Sequence, residues 1–159
     1  MPRRFLIIQL AAIGDLILST PALAALREAH PDAHIALLTT ALAAPVLPPG
    51  LVDEVIPFDK YTFDRPKSLL KPANLRQALA LAARLRRGRY DTAIFFHHFT
   101  TRFGALKFAA LAWSADSVNR VGLENGNGFF LTHRVSDEGF GAKHQAQYWL
   151  DLVALAGAD

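Results

Sequence analysis

The chain has no cysteine and one methionine among its 159 residues. Without cysteine there is no disulfide framework, no thiolate nucleophile and no thiolate metal site. No apolar run reaches the ~18 residues of a membrane span. Long runs of like charge are also missing, and a net charge of +3 is too small to predict nucleic-acid binding without a motif. The 52% apolar content is enough for the core of one globular domain.

The common phosphate-binding and nucleophile motifs are missing as well. The sequence contains neither a G-x-x-x-x-G-K-[ST] loop nor a G-x-S-x-G elbow. Its first turn, Ala11-Ala12-Ile13-Gly14, has one glycine where dinucleotide binders need G-x-G-x-x-G. His97 and His98 are adjacent on an extended segment and point to opposite faces, so they are poor joint metal ligands. We therefore expect no metal site and no cofactor.

Apolar runs alternate with helical segments along the whole chain. The predicted strands are Phe5–Leu10, His34–Thr39, Val52–Phe58, Tyr90–His97 and Val118–Gly122, followed by an extended segment at Phe129–Val135. The predicted helices are Asp15–His30, Asn74–Arg87 (with Asn74 as N-cap and Gly88 as C′ residue), Thr101–Trp113 and Lys143–Ala156. This alternation predicts an α/β fold: a doubly wound, mostly parallel, Rossmann-like sheet with helices on both faces.

Asp15 is the most conspicuous polar residue, because it follows an apolar strand directly. That position should lie at the carboxyl end of a central strand, where open α/β sheets bind their ligands. The carboxylate could be a general base aimed at a ligand hydroxyl. It could equally be a structural acid that complements the dipole at the start of a helix. The residues alone leave both interpretations open.

A second polar cluster follows the fourth predicted strand and contains His97, His98, Thr100, Thr101 and Arg102. Parallel strands end at one edge of a sheet, so this cluster should share the edge of Asp15, and we favour ligand binding for His97 and Thr100. The alternative is a satisfied loop histidine and a threonine that caps the next helix. Arg120, in a short strand, would suit bidentate phosphate recognition; the alternative is a surface or capping residue.

Several blocks in order resemble the amino-terminal half of the family 9 glycosyltransferases, which include the bacterial heptosyltransferases of lipopolysaccharide assembly. The blocks are FLIIQLAAIGDLILSTPALAALREAHPDAHIALLT, VDEVIPFD, YDTAIFFHHFTTRFGAL and NRVGL, followed by a histidine before the last helix. The opening I-G-D and S-T-P-A-L is the most specific part. Gln9 departs from the pattern, because the family often has a basic residue there.

The resemblance implies a GT-B architecture, in which two Rossmann-like domains face each other across a cleft. Residues 1–159 would be the amino-terminal, acceptor-binding domain, and the carboxyl-terminal donor domain would be absent from this chain. Asp15 would be the catalytic base of an inverting transfer. The residues expected to contact the acceptor are Ala12, Ile13 and Gly14 in the turn and Arg65, Lys67 and Arg120 at its phosphates.

The implied partners are a nucleotide-sugar donor similar to ADP-heptose, held by the missing domain, and a glycan or glycolipid acceptor. We expect a cytoplasmic location, with peripheral association at the inner face of the cytoplasmic membrane and self-association of the isolated domain as further expectations. The isolated chain should not catalyse transfer. Two other classes remain open: a non-catalytic module that binds an anionic ligand or a protein partner, and a nucleotide-binding regulatory domain.

Overall fold

The computed structural model describes residues 2–59 and 66–158, which contain the predicted alternation of strands and helices. The strands are β1 (Arg4–Gln9), β2 (His34–Thr40), β3 (Glu54–Phe58), β4 (Thr92–Phe95), β5 (Asn119–Glu124) and β6 (His133–Ser136). The helices are α1 (Ile13–Ala29), α2 (Pro72–Gly88), α3 (Arg102–Ala115) and α4 (Gln145–Ala154), with short 3₁₀ helices at Ala44–Val46 and Pro66–Leu70. None of the described helices is long and apolar enough to cross a membrane.

The six strands form one parallel sheet in the order β3-β2-β1-β4-β5-β6. Ile8 of β1 is in register with Leu38 of β2 on one side and with Phe95 of β4 on the other. The strand order therefore reverses between β1 and β4, and ligands of such sheets bind beyond the carboxyl ends at this point. The predicted doubly wound fold is confirmed.

Helices cover both faces of the sheet. α1 and α4 pack on one face, where Ile7 and Phe96 belong to the same core as Leu23 and Trp149. α2 and α3 cover the other face, where Ile8 and Phe95 share a second core with residues such as Leu85 and Ala109. Because both faces are buried, the central strands are continuously apolar instead of alternating with polar residues.

The predicted ends of α2 are wrong at both termini. The helix begins at Pro72, with Lys71 as N-cap. Proline is favoured at the first helical position because the N–H that it lacks would have no acceptor within the helix. Asn74 lies inside the first turn, and its amide donates to the carbonyl of Ser68 at 2.8 Å. At the other end Gly88 is still helical, and Arg89 adopts the left-handed conformation with φ of 46°. A side chain at Gly88 would collide with the ring of Tyr90.

The Ser19-Thr20-Pro21 sequence is explained by the helix that contains it. Pro21 has no N–H to donate to the carbonyl of Ile17, and the hydroxyl of Thr20 donates to that carbonyl at 2.7 Å. The buried hydroxyl of Ser19 donates to the carbonyl of Leu16 at the same distance. Both hydroxyls therefore satisfy α1 backbone groups, as side chains of this type often do.

Asp53 lies in the turn that precedes β3, and its carboxylate links the start of β2 to α1. Its carboxylate accepts from the backbone N–H of Ile35 at 2.7 Å and from the guanidinium of Arg27 at 2.6 Å. Burial raises the pKa of Asp53, but these two donors more than offset that effect, so its pKa lies below the ordinary value. The ionised form is therefore favoured by folding.

We expect this carboxylate to make stability depend on pH in the acid range. A group with a lowered folded-state pKa contributes stability above its unfolded pKa, and the contribution is lost as the pH falls through its folded pKa. Asp53→Asn should thus lower the urea midpoint near neutral pH, and the difference from the wild type should shrink at about pH 3. The exposed Asp32→Asn is the control. If the urea midpoints of Asp53→Asn and the wild type differ by the same amount near neutral pH and at about pH 3, the stabilising role assigned to this carboxylate is wrong.

Candidate active site

The turn after β1 is shaped by the side chain of Gln9, which is fully buried. Its Oε1 accepts from the backbone N–H of Ala11 at 3.0 Å, and its Nε2 donates to the backbone carbonyl of Asp15 at 3.4 Å. A buried amide that is satisfied on both sides holds the turn in one conformation. The sequence did not predict that Gln9 holds this turn. The sequence feature that could have indicated it is a lone polar residue at the end of an apolar strand.

Asp15 is the third residue of α1 and is half-buried. Its Oδ2 accepts from the backbone N–H of Ala12, the N-cap residue, at 3.2 Å. This is one half of a capping box; the reciprocal half is impossible because alanine has no acceptor. Among the described residues Oδ1 accepts no hydrogen bond. The capping interpretation and the base interpretation are therefore compatible, since one oxygen serves the helix and the other stays available.

The turn residues predicted to contact sugar lie around this carboxylate. Ala12 and Gly14 are exposed, and Ile13 is 38% exposed. A Cβ placed on Gly14 would meet no atom within 4 Å, so nothing in the protein requires glycine there. The three residues form an open, mostly apolar surface beside a carboxylate.

The end of β4 lies beside this turn, because the backbone N–H of Phe96 donates to the carbonyl of Ile8 at 3.0 Å. The two histidines that follow point to opposite faces, as predicted. The ring of His97 stacks on Phe108 of α3 with centroids 4.2 Å apart, whereas His98 lies against Trp149 of α4. Thr100 is exposed at this edge, and Thr101 is the residue that caps α3, accepting from Gly104 N–H at 3.0 Å.

His98 is the centre of a buried polar cluster that sequence inspection did not assemble. Its Nδ1 lies 2.9 Å from both carboxylate oxygens of Asp137, and its Nε2 lies 3.2 Å from Oε1 and 2.9 Å from Nε2 of Gln145. The histidine and aspartate side chains are 6% and 3% exposed. Asn125 and the N–H of Gly139 also donate to this carboxylate. The cluster fixes the segment between β6 and α4 to the carboxyl end of β4.

Of the basic residues predicted to meet acceptor phosphates, the two that the structure describes, Lys67 and Arg120, are not brought together. Arg65 lies outside the described residues. Lys67 is exposed in the 3₁₀ helix before α2. Arg120 lies at the amino end of β5, in register with Ala93, and therefore at the edge of the sheet opposite Asp15. Its guanidinium donates to the carbonyls of Phe130 and Ser117 at 2.7 and 2.9 Å. These bonds hold together the segments that precede and follow β5.

A groove of about 550 Å³ opens between α2 and the β2–β3 side of the sheet. It reaches the carboxyl ends of both strands, and its lining includes Thr40, Leu42, Phe58, Leu81 and Arg84. Arg84 is paired with Glu54 at 2.7 Å. The groove is mostly apolar and lies on the carboxyl-end side that carries Asp15.

The fold is that of one half of known glycosyltransferase structures. The chain is similar to the Escherichia coli heptosyltransferase WaaC with ADP-2-deoxy-2-fluoro heptose, at a TM-score of 0.79 and 19% identity over 98% of this chain and 49% of that one. A glycosyl transferase of family 9 from Veillonella parvula gives 0.70 and 22% identity over 99% and 42%. E. coli ADP-heptose lipopolysaccharide heptosyltransferase II gives 0.66 and 20% over 94% and 39%.

These likenesses establish a Rossmann-like α/β domain, and the chain spans half or less of the length of each of these structures. No family model and no curated protein matches the chain by sequence.

Proposed function

We propose that this chain is the amino-terminal, acceptor-binding half of an inverting glycosyltransferase of family 9. The donor would be a nucleotide sugar similar to ADP-heptose, and the acceptor a glycan or glycolipid of the lipopolysaccharide type. The observation that carries the proposal is the Asp15 carboxylate, which has an available oxygen at the point where the strand order reverses. The similarity to half-chains of heptosyltransferases, one with an ADP-sugar analogue, supports it.

In the proposed reaction Asp15 takes the proton of an acceptor hydroxyl while that oxygen attacks the anomeric carbon of the donor. The bond from the acceptor oxygen to the sugar forms as the bond from the sugar to the phosphate breaks, so the nucleotide diphosphate leaves with the electron pair. The donors that stabilise its charge would belong to the second half. For this step the Ala12 N–H would hold the carboxylate, while the Gln9 amide would hold the backbone carbonyl of Asp15. The reaction would occur in the cytoplasm.

Gly14→Ala should separate function from stability. The new methyl group meets no protein atom, and alanine is favoured over glycine in a helix, so unfolding free energy should stay equal or rise by up to about 1 kcal/mol. If the acceptor lies over this turn, the same methyl group should raise its KM several-fold. Denaturation and acceptor titration measure the two effects in the proposed two-domain enzyme, which joins this half to a donor-binding half. An unchanged KM would remove Gly14 from the acceptor surface.

The proposal is tested by release of ADP from ADP-heptose with a deacylated, heptose-free lipopolysaccharide acceptor. The protein that carries both halves should turn over, and the 159-residue chain alone should not. Measurable turnover by the chain alone would show that the donor site does not require a second half. Absence of transfer by the two-domain protein with any sugar nucleotide would favour the non-catalytic binding module.

A further inference from the structure

Phe140, in the loop between β6 and α4, is the most exposed phenylalanine or tryptophan that the structure describes, at 74%. Single exposed apolar side chains are common on protein surfaces and by themselves indicate no function. Phe140 differs from them because its ring lies against a buried side chain: the ring centroid is 4.5 Å from that of the His98 imidazole. The ring is therefore supported on one side and open to solvent on the other.

Two glycines determine the backbone conformation on either side of Phe140. Gly139 and Gly141 have φ of 93° and 84°, a conformation that other residues rarely adopt. A Cβ on either glycine would meet no atom within 4 Å, so the backbone conformation, and not a lack of space, is what requires glycine. The sequence Gly139-Phe140-Gly141 thus specifies a loop conformation with an aromatic side chain at its centre.

The base of this loop is held by two regular elements of the fold. The N–H of Gly139 donates to Oδ1 of Asp137 at 3.0 Å, and the hydroxyl of Tyr148 in α4 donates to the carbonyl of Gly139 at 3.0 Å. Asp137 is in turn bound by His98, which follows the carboxyl end of β4. Side chains that bind ligands are often placed in this way, on loops that a rigid scaffold positions.

Phe140 and Asp15 lie on the same side of the same sheet edge. α1 and α4 pack against each other on one face of the sheet, and each follows the carboxyl end of a strand. Trp149, near the start of α4, stacks on Phe96 with centroids 5.2 Å apart, and Phe96 donates its N–H to the carbonyl of Ile8 in β1. Because packed helices are about 8–10 Å apart, the loop before α4 and the turn before α1 flank one stretch of this edge.

We propose that Phe140 is a stacking platform for a sugar ring of the acceptor, next to the hydroxyl that faces Asp15. This inference rests on the proposed function, in which this edge of the sheet binds the acceptor. The face of an aromatic ring is negative, whereas the C–H bonds on one face of a sugar ring are apolar and weakly positive, so the two surfaces attract each other. Stacking also removes both apolar surfaces from water, which favours the contact further.

The platform restricts which sugar can lie beside the candidate base. A ring that presents several C–H bonds on one face can stack on Phe140. An axial hydroxyl on that face would hold the ring away and would lose water without gaining a hydrogen bond. Since Asp15 recognises only a hydroxyl, Phe140 is the residue of this pair that determines the acceptor ring.

Titration calorimetry of the 159-residue chain with a deacylated, heptose-free lipopolysaccharide acceptor tests the inference. Phe140→Ser should raise the Kd roughly three- to tenfold, and Phe140→Tyr, which keeps the ring, should bind like the wild type. Phe140→Leu keeps an apolar side chain without the ring, so its Kd should stay raised. The matched control is Phe129→Ser, which removes a ring 56% exposed beside Trp113 at the end of α3 and should leave the Kd unchanged. Circular dichroism and urea midpoints confirm that each variant is folded.

Proton NMR of the bound acceptor gives a signature that a merely structural role would not produce. Protons held over an aromatic face resonate upfield, so sugar C–H protons should shift upfield on binding to the wild type and to Phe140→Tyr, and not on binding to Phe140→Ser. If the acceptor shifts the amides of Ala11 to Asp15 while Phe140→Ser changes neither the Kd nor the sugar shifts, this inference is wrong and the proposed function stands. If the wild type does not bind the acceptor, both are wrong. A Phe140→Ser variant that binds the acceptor normally and loses affinity for the donor-binding half would identify that half as the partner of Phe140, which would also overturn the inference.

Discussion

Asp15→Asn in the proposed two-domain enzyme is expected to lower kcat roughly a hundred- to ten-thousand-fold, the usual contribution of a general base. Asparagine has nearly the same shape, and its carbonyl oxygen can still accept from the N–H of Ala12. The turn and α1 should therefore keep their structure. What is lost is the ability to take a proton from the acceptor hydroxyl, so the effect should fall on kcat and leave the KM for the nucleotide sugar nearly unchanged.

The matched control for this variant is Asp32→Asn, which removes an exposed carboxylate after α1 at the opposite edge of the sheet. It should leave kcat and stability unchanged. Both variants should unfold at the wild-type urea concentration within error. Turnover of the Asp15 variant within about threefold of the wild type would contradict the general-base role. Asp15 would then only cap the helix, a role worth about 1 kcal/mol of stability or less.

His98→Ala is expected to cost about 3 kcal/mol of unfolding free energy, because it removes one member of a buried polar pair. The Asp137 carboxylate would keep its bonds from Asn125 and Gly139 and lose its contact with the imidazole. Gln145 would lose its partner as well. The loop from Asp137 to His144 should then open locally, which hydrogen exchange of that segment would detect.

His97→Ala is the control next to it in the sequence. His97 is half-buried and stacks on Phe108, so its loss should cost about 1 kcal/mol. A double-mutant cycle of His98→Ala and Asp137→Ala should show positive coupling, whereas His97→Ala and Asp137→Ala should be additive. If the His97 variant is the more unstable of the two, the cluster does not stabilise the fold as described.

The sheet and its layers were predictable because burial on both faces leaves a direct record in the sequence. Runs such as Phe5–Leu10 and His34–Thr39 are continuously apolar, and that pattern needs no partner to be recognised. Helix ends were less predictable, since they depend on single contacts. Asn74 has the right chemistry for an N-cap, but Pro72 starts the helix first, and Gly88 is required by the ring of Tyr90 and not by a turn.

The site was predictable in part. Asp15 follows a strand directly in sequence, so its edge of the sheet could be inferred from local pattern alone. The His98–Asp137 pair joins residues 39 positions apart, and only the fold shows that they meet. Arg120 was predicted at the acceptor phosphates because a strand-end arginine suits phosphate recognition and because the family resemblance implied it. Its place at the amino end depends on strand register, which the sequence did not reveal.

The most direct test of the central claim is an amide NMR titration of the 159-residue chain with two ligands in turn. The claim is that this half binds the acceptor at the carboxyl edge and that the nucleotide belongs to the other half. A deacylated, heptose-free lipopolysaccharide acceptor should shift the resonances of Ala11 to Asp15 in a saturable manner, and ADP should leave them unmoved. Saturable shifts with ADP and none with the acceptor would contradict the claim and identify a nucleotide-binding domain.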